Sequence, residues 1–268
     1  MLRVASAAVL LAVLLGAIWL APFAATAVLV VVAAFLAGGE LAHMSGRIGA
    51  PVSSLFVGVA SGVIAMAFVA ALGAPAHDAG ILAGALAMLV LASGVLTLAS
   101  GPPEPAAIAR AGVLVLAPIY VGVPLGAIAW VQLTAGAAAT TWLIVVIAIS
   151  DSAQYYTGRA FGRRKLAPAV SPAKTIEGAI GGVLVAAVAG AALARVCLPQ
   201  VPAVAAAVLT LTLVAFGIAG DLFESLIKRS AGVKDSSHLI PGHGGVLDRI
   251  DSHLFAAPIF FLFLRYVA

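Results

Sequence analysis

The chain has 268 residues, of which 63% are hydrophobic and 9% charged, with a formal charge of +4. Ordinary soluble domains carry roughly 25% charged residues, so a water-soluble fold and a membrane barrel of alternating strands are both excluded by this long-run apolar composition. The single cysteine, Cys197, excludes an intramolecular disulfide and a multi-thiolate metal site.

A hydrocarbon core needs roughly 20 apolar residues per helical span. That requirement predicts nine spans, at about 4–20, 22–38, 51–73, 79–99, 107–133, 139–158, 175–198, 201–227 and 252–267. Pro22 divides a first apolar run too long for one span, and Pro118 with Pro124 predicts a kink or break in the fifth. The spacings Gly58–Gly62 and Gly178–Gly182 suit close helix packing, although 28 glycines make such spacings common. The expected architecture is an all-α polytopic bundle of about nine transmembrane helices with a cytoplasm-facing polar cavity. It forms a single membrane domain, 1–268, in which 1–138 is mainly scaffold and 139–268 is catalytic.

With the N-terminus inside, Arg3, Arg47, Arg110, Arg159, Arg163, Arg164, Lys165, Lys174, Lys228, Arg229, Lys234 and Arg249 fall on the cytoplasmic side. The other side receives only Arg195 and Arg265, a strong positive-inside bias. Ala25-Thr26-Ala27 resembles a signal-peptide cleavage site, yet the first span is expected to stay as a signal anchor. The basic residues lie mostly between apolar runs, which favours anionic headgroups or phosphorylated substrates over nucleic acid.

Glu40, His43, Arg47, Asp78 and Glu104 are expected at span ends as solvated loop residues. The other acidic residues all lie at or after Asp151. Asp151 follows the apolar stretch 143–149 and precedes Arg159 by eight residues, about 12 Å along a helix. A carboxylate at that depth is expensive and usually faces a polar cavity. The loop that follows holds Arg159, Arg163, Arg164 and Lys165, which enforce topology. Then comes Ser171-Pro172-Ala173-Lys174-Thr175-Ile176-Glu177-Gly178. Ser171 or Thr175 can cap the next helix, and Pro172 suits its first turn. The helix N-terminus beside Lys174 would attract phosphate.

Asp221, Glu224 and Lys228 fall at i, i+3 and i+7 on one face of the eighth span. The run from Lys228 to Ser252, KRSAGVKDSSHLIPGHGGVLDRIDS, is the densest polar stretch. Gly242, Gly244 and Gly245 around His243 permit close approach to a ligand. Asp248 and Asp251 open the final helix, where they also complement its dipole. With Asp221 and Asp151 they form a hard-oxygen set suited to Mg²⁺, held together with phosphate oxygens and water.

The spacing S-x-I-K-R-x4-K-D-x-S-x2-I-P-x-H-G-G-V-x-D-R-I-D from Ser225 to Asp251 closely resembles the signature of phosphatidate cytidylyltransferases, also called CDP-diacylglycerol synthases. SDSAQYYTGRAFGRRKL and SPAKTIEGAIGG resemble other blocks of that family, so the likeness covers roughly 150–252. Gln154 stands where the family more often has a small residue, and Ala173 where it often has a lysine.

The resemblance implies transfer of CMP from CTP to phosphatidic acid by an Mg²⁺-dependent enzyme of the inner membrane, with one or two metal ions and a homodimer as further implications. It assigns Asp221, Asp248, Lys228, Arg249 and Asp251 to catalysis, and Asp221, Asp248, Asp251 and Asp151 to metal. Substrate contacts fall to Ser171, Lys174, Glu177, Glu224, Arg229, Lys234, Asp235, His243, Gly244 and Gly245. His243 is a phosphate contact or site organiser, because a phosphate monoester is already largely ionised at neutral pH. A transporter with paired halves is disfavoured, since the charges lie in the C-terminal half.

Overall fold

The computed structural model describes residues 2–73 and 78–268. Among these, the chain forms eight helices: α1 (Leu2–Trp19), α2 (Phe23–Arg47), α3 (Ser54–Gly73), α4 (Ala79–Ala99), α5 (Ala107–Phe161), α6 (Ile176–Cys197), α7 (Ala203–Ser230) and α8 (Leu247–Tyr266). A small antiparallel hairpin, β1 (Lys165–Ala167) and β2 (Ser171–Thr175), stands between α5 and α6.

Six helices, α2 to α7, are long and apolar enough to cross a membrane. The chain is therefore a multi-pass membrane protein. The fifth and sixth expected spans, 107–133 and 139–158, both lie in α5, whose helical path breaks between them where Gly136 takes φ 81° and ψ −176°. The break falls at a glycine that can adopt this backbone, whereas Pro118 and Pro124 lie inside the helical run. The last expected span is α8, which carries Asp248, Arg249, Asp251 and Arg265 and does not meet the same apolar standard. In the most apolar stretch of α4 only 11% of residues are buried, so Val90, Leu91 and Leu98 lie outward on a surface suited to lipid rather than water. Of the residues in the orientation count, the side chain of Arg3 lies outside the described residues.

The chain divides into two compact units, one of Met1–Thr134 with Ile227–Ile250 and the other of Ala135–Leu226 with Asp251–Ala268. In the first, α3 packs between α2 and the first part of α5 through glycines. A side chain at Gly58 would strike the Phe35 carbonyl of α2, and one at Gly126 would strike the Ala65 carbonyl of α3. Absent side chains let the backbones approach, which is the main attraction available between helices in lipid. The Trp130 indole donates to the Leu72 carbonyl at 2.9 Å, and Gln132 donates to the Ile18 carbonyl at 2.9 Å.

In the second unit, Gly178 and Gly182 pack against the part of α5 that follows Gly136, close to Gln154. Both GxxxG spacings noted in the sequence are thus helix contacts. The buried Trp142 indole donates to the Gly190 carbonyl at 2.9 Å and lies 5.3 Å from the Phe260 ring.

Candidate functional site

The signature stretch folds around Asp248. Helix α7 ends in a turn in which Gly232 has φ 69° and Val233 N–H donates to the Lys228 carbonyl at 2.9 Å. The chain then loops to Ile240, whose N–H donates to the Gly244 carbonyl at 2.8 Å, closing a turn over Pro241, Gly242 and His243. Gly242 and Gly244 have φ of 78° and 81°, a region open to glycine and costly for other residues. Gly245 has another reason to be glycine, since a Cβ there would collide with the Ser236 hydroxyl and both oxygens of Glu40.

This loop delivers donors to one carboxylate. Asp248 Oδ2 accepts from the Ser236 N–H at 2.9 Å, the Ser236 hydroxyl at 2.8 Å and the Gly245 N–H at 2.8 Å. Its Oδ1 accepts from the Lys228 ammonium at 2.6 Å, in a pair whose side chains are 10% and 5% exposed. Burial alone would push the Asp248 carboxyl up; the Lys228 hydrogen bond and the donors from Gly245 and Ser236 outweigh it and hold it below 3.8. Asp248 is therefore an anion at neutral pH, fixed in one orientation.

Glu40 joins the same network, against the expectation that it is a solvated loop residue. Helix α2 runs on to Arg47, and Glu40 is buried within it. Asp78 and Glu104 also have partners. Asp78 caps α4 by accepting from Gly80 N–H at 2.9 Å, and Glu104 pairs with the buried Arg110. His43 and Arg47 are exposed, as expected.

A second polar cluster lies in the other unit. Lys174, on β2, forms an ion pair with Asp221 of α7, whose other oxygen lies 3.3 Å from the Ser225 hydroxyl. Ser171 and Pro172 belong to β2, so they do not open α6, which starts where the apolar run begins. Thr175 is the cap, accepting from Gly178 N–H at 3.1 Å. Glu177, in the first turn of α6, accepts from the N–H groups of Arg163 and Arg164 at 3.0 and 3.1 Å and from the Arg164 guanidinium at 3.1 Å. It ties the arginine turn to the start of α6. Asp151 is exposed on α5 and accepts from Gln154 at 3.2 Å. Glu224 is completely buried, Asp251 is half-buried, and its carboxylate takes the Ser252 N–H at 2.6 Å.

Arg229, Lys234, Asp235 and Arg249 are exposed, and Arg229 also donates to the Val233 carbonyl at 3.1 Å. His243 is half-buried in its turn.

Among the described residues no three His, Cys, Asp or Glu side chains gather as a metal cluster. Mg²⁺ needs no such cluster, since it is usually held by one or two carboxylates with phosphate oxygens and water. Asp221 and Asp248 fit that requirement by donor type. Each is a hard-oxygen anion with a lysine ammonium already supplying positive charge beside it.

The sequence model of the Cytidylyltransferase family matches residues 1–267. Local similarity extends to proteins named "Phosphatidate cytidylyltransferase" from Bacillus subtilis, 45% identical over 120 residues, and Haemophilus influenzae, 45% identical over 130. A further match is "Uncharacterized protein YnbB" of Escherichia coli, 45% identical over 131 residues. These alignments cover 45%, 47% and 49% of this chain and 45%, 45% and 44% of the respective relatives. The chain thus matches somewhat under half the length of each of these curated relatives.

Proposed function

Since the chain belongs to the Cytidylyltransferase family, we propose that it transfers CMP from CTP to phosphatidic acid, releasing pyrophosphate and forming CDP-diacylglycerol. The observation that carries this reading is the Ser225–Asp251 stretch, whose spacing closely resembles the family signature and whose Asp248 is held as an oriented anion. The relatives named phosphatidate cytidylyltransferases support the choice of substrates.

In this reaction a phosphate oxygen of phosphatidic acid attacks the α-phosphorus of CTP. The bond from that phosphorus to the β-phosphate oxygen breaks, and its electron pair leaves with pyrophosphate. The nucleophile is already ionised at neutral pH, its second pKa being near 6, so no strong base is needed. What the protein must supply is positive charge and alignment among anions. Lys174 and Lys228 stand beside the aspartates, while Arg229, Lys234 and Arg249 are exposed to phosphates arriving from solvent. Magnesium held by Asp221 and Asp248, with Asp251 and Asp151 as further oxygen donors, would offset substrate repulsion and stabilise the departing pyrophosphate.

The positive-inside bias supports an inner-membrane protein with its N-terminus in the cytoplasm and a polar cavity facing the same side. CTP is soluble there, and the phosphatidic acid headgroup lies at the membrane interface.

The test is purified protein in detergent or nanodiscs with CTP, Mg²⁺ and phosphatidic acid, read by mass spectrometry for CDP-diacylglycerol. The expected result is product and pyrophosphate in equal amounts, lost with EDTA and in Asp221→Ala. Turnover only with a polyprenyl phosphate or an ether-lipid acceptor would overturn the choice of phosphatidic acid, and no turnover of CTP with any lipid would overturn the reaction itself.

A further inference from the structure

The first 150 residues contain three acidic side chains, Glu40, Asp78 and Glu104. Asp78 caps its own helix and Glu104 pairs with a nearby arginine. The carboxylate of Glu40 turns instead to a segment about 200 residues further along the chain. Its Oε1 accepts from the Ser237 hydroxyl at 2.7 Å and the Val246 N–H at 3.0 Å. Its Oε2 accepts from the Ser236 hydroxyl at 2.9 Å and the Leu247 N–H at 2.9 Å. Glu40 is 8% exposed, so these bonds replace its water.

Two features make this more than a buried carboxylate finding partners. Leu247 is the first residue of α8, and the N–H groups at a helix start have no partner within the helix. A carboxylate from α2 therefore caps α8 and complements its dipole. The Ser236 hydroxyl lies 2.9 Å from Glu40 and 2.8 Å from Asp248. A hydroxyl has one proton and can donate to only one of them at a time, so the two carboxylates are coupled through it. Gly245, between the two, leaves no room for a side chain.

We propose that Glu40 is a positioning residue for the signature segment. It fixes the turn at 245–247 and the Ser236 hydroxyl, and through them holds Asp248 in the orientation in which Lys228 meets it. Glu40 acts through Asp248, and this role in turnover rests on the CMP-transfer reading above.

The backbone donors allow a sharp test. Serine hydroxyls can rotate, but the N–H groups of Val246 and Leu247 cannot. Glu40→Gln replaces one carboxylate oxygen by an NH₂ group, and in either flip that group faces one of these fixed N–H donors. A nearly isosteric change should therefore free the turn. Ser236→Ala removes only the bridging hydroxyl and leaves the buried charge with its other three donors. Glu40→Asp keeps the charge but shortens its reach.

The measurements are kcat and KM for CTP at several Mg²⁺ concentrations, together with hydrogen–deuterium exchange of the peptide spanning 236–250. Glu40→Gln is expected to lower kcat by about 10- to 100-fold, the usual loss when the support of a ligand is removed, with KM for CTP nearly unchanged and faster exchange in that peptide alone. Glu40→Asp should recover part of kcat, and Ser236→Ala should fall between wild type and Glu40→Gln. Wild-type kcat or wild-type exchange in a folded Glu40→Gln protein overturns the proposal. If that variant does not fold, Ser236→Ala decides, and undiminished kcat there overturns it equally. A wild-type protein that makes no CDP-diacylglycerol sinks the functional reading, while the exchange comparison still judges whether Glu40 orders the turn.

Discussion

Lys228→Met tests how much the Lys228–Asp248 pair holds the signature segment together. The pair is 2.6 Å long, with side chains 10% and 5% exposed, so solvent screens it little. Removing one partner of a buried ion pair typically costs about 3–5 kcal/mol, because the other charge stays buried. Here Asp248 would keep three donors, the Ser236 N–H and hydroxyl and the Gly245 N–H. The expected cost is therefore at the lower end, about 3 kcal/mol. Asp248→Asn alone should also destabilise, since its amide presents either a second donor to Lys228 or one to the fixed N–H groups. In the double variant the buried charges are both gone, and the two losses should not add. A coupling energy of about 2 kcal/mol is expected from a double-mutant cycle. It can be measured by denaturant titration in mixed micelles, followed by the fluorescence of Trp19, Trp130 and Trp142. A coupling below about 0.5 kcal/mol, the range of solvent-exposed pairs, would refute the reasoning.

The same carboxylate makes stability depend on pH. Burial raises the Asp248 pKa, but Lys228, Gly245 and Ser236 together lower it below 3.8, so the folded state binds fewer protons than the unfolded one at acidic pH. Its contribution is complete above the unfolded value near 3.8 and is lost as pH falls through the lower folded value. The denaturation midpoint should drop more steeply below about pH 4 in the wild type than in Asp248→Asn, and parallel curves would count against this. Thr175→Ala should destabilise by about 1 kcal/mol by removing the cap of α6, and Thr175→Ser should restore most of it. An unchanged midpoint in the alanine variant would mean that the hairpin, not the hydroxyl, sets the start of α6.

Most of the helices were legible because lipid imposes one constraint, an apolar run of sufficient length, and the sequence repeats it without alternation. The break in α5 falls between the fifth and sixth expected spans, where the apolar runs part. Proline removes a donor and kinks a helix, so Pro118 and Pro124 predict a further break inside the fifth span, yet both lie within helical backbone and the chain turns at Gly136. The hairpin left no trace, since strands of three and five residues are too short to show a period. Charged partners were legible as residues but not as pairs. Lys228, Asp248, Lys174 and Asp221 each stand out in the sequence, but nothing in spacing alone joins residues 20 or 47 positions apart.

Glu40 shows how the end of an apolar run differs from the end of a helix. A carboxylate deep in a span is expensive to bury without partners, and this marks Asp151 in the sequence. The same cost does not mark Glu40, because the apolar run of the second span stops at about residue 38. The helix continues to Arg47, which puts Glu40 seven residues inside its end, about 10 Å along the axis. By that measure the two carboxylates lie at similar depth. Asp151 is exposed along its helix, whereas Glu40 is enclosed by four donors that the sequence places 196 to 207 residues away. Ending a span at its last apolar residue hides the carboxylates that lie just beyond it. A helix that runs past its apolar stretch brings them to the depth where only a tertiary partner can satisfy them.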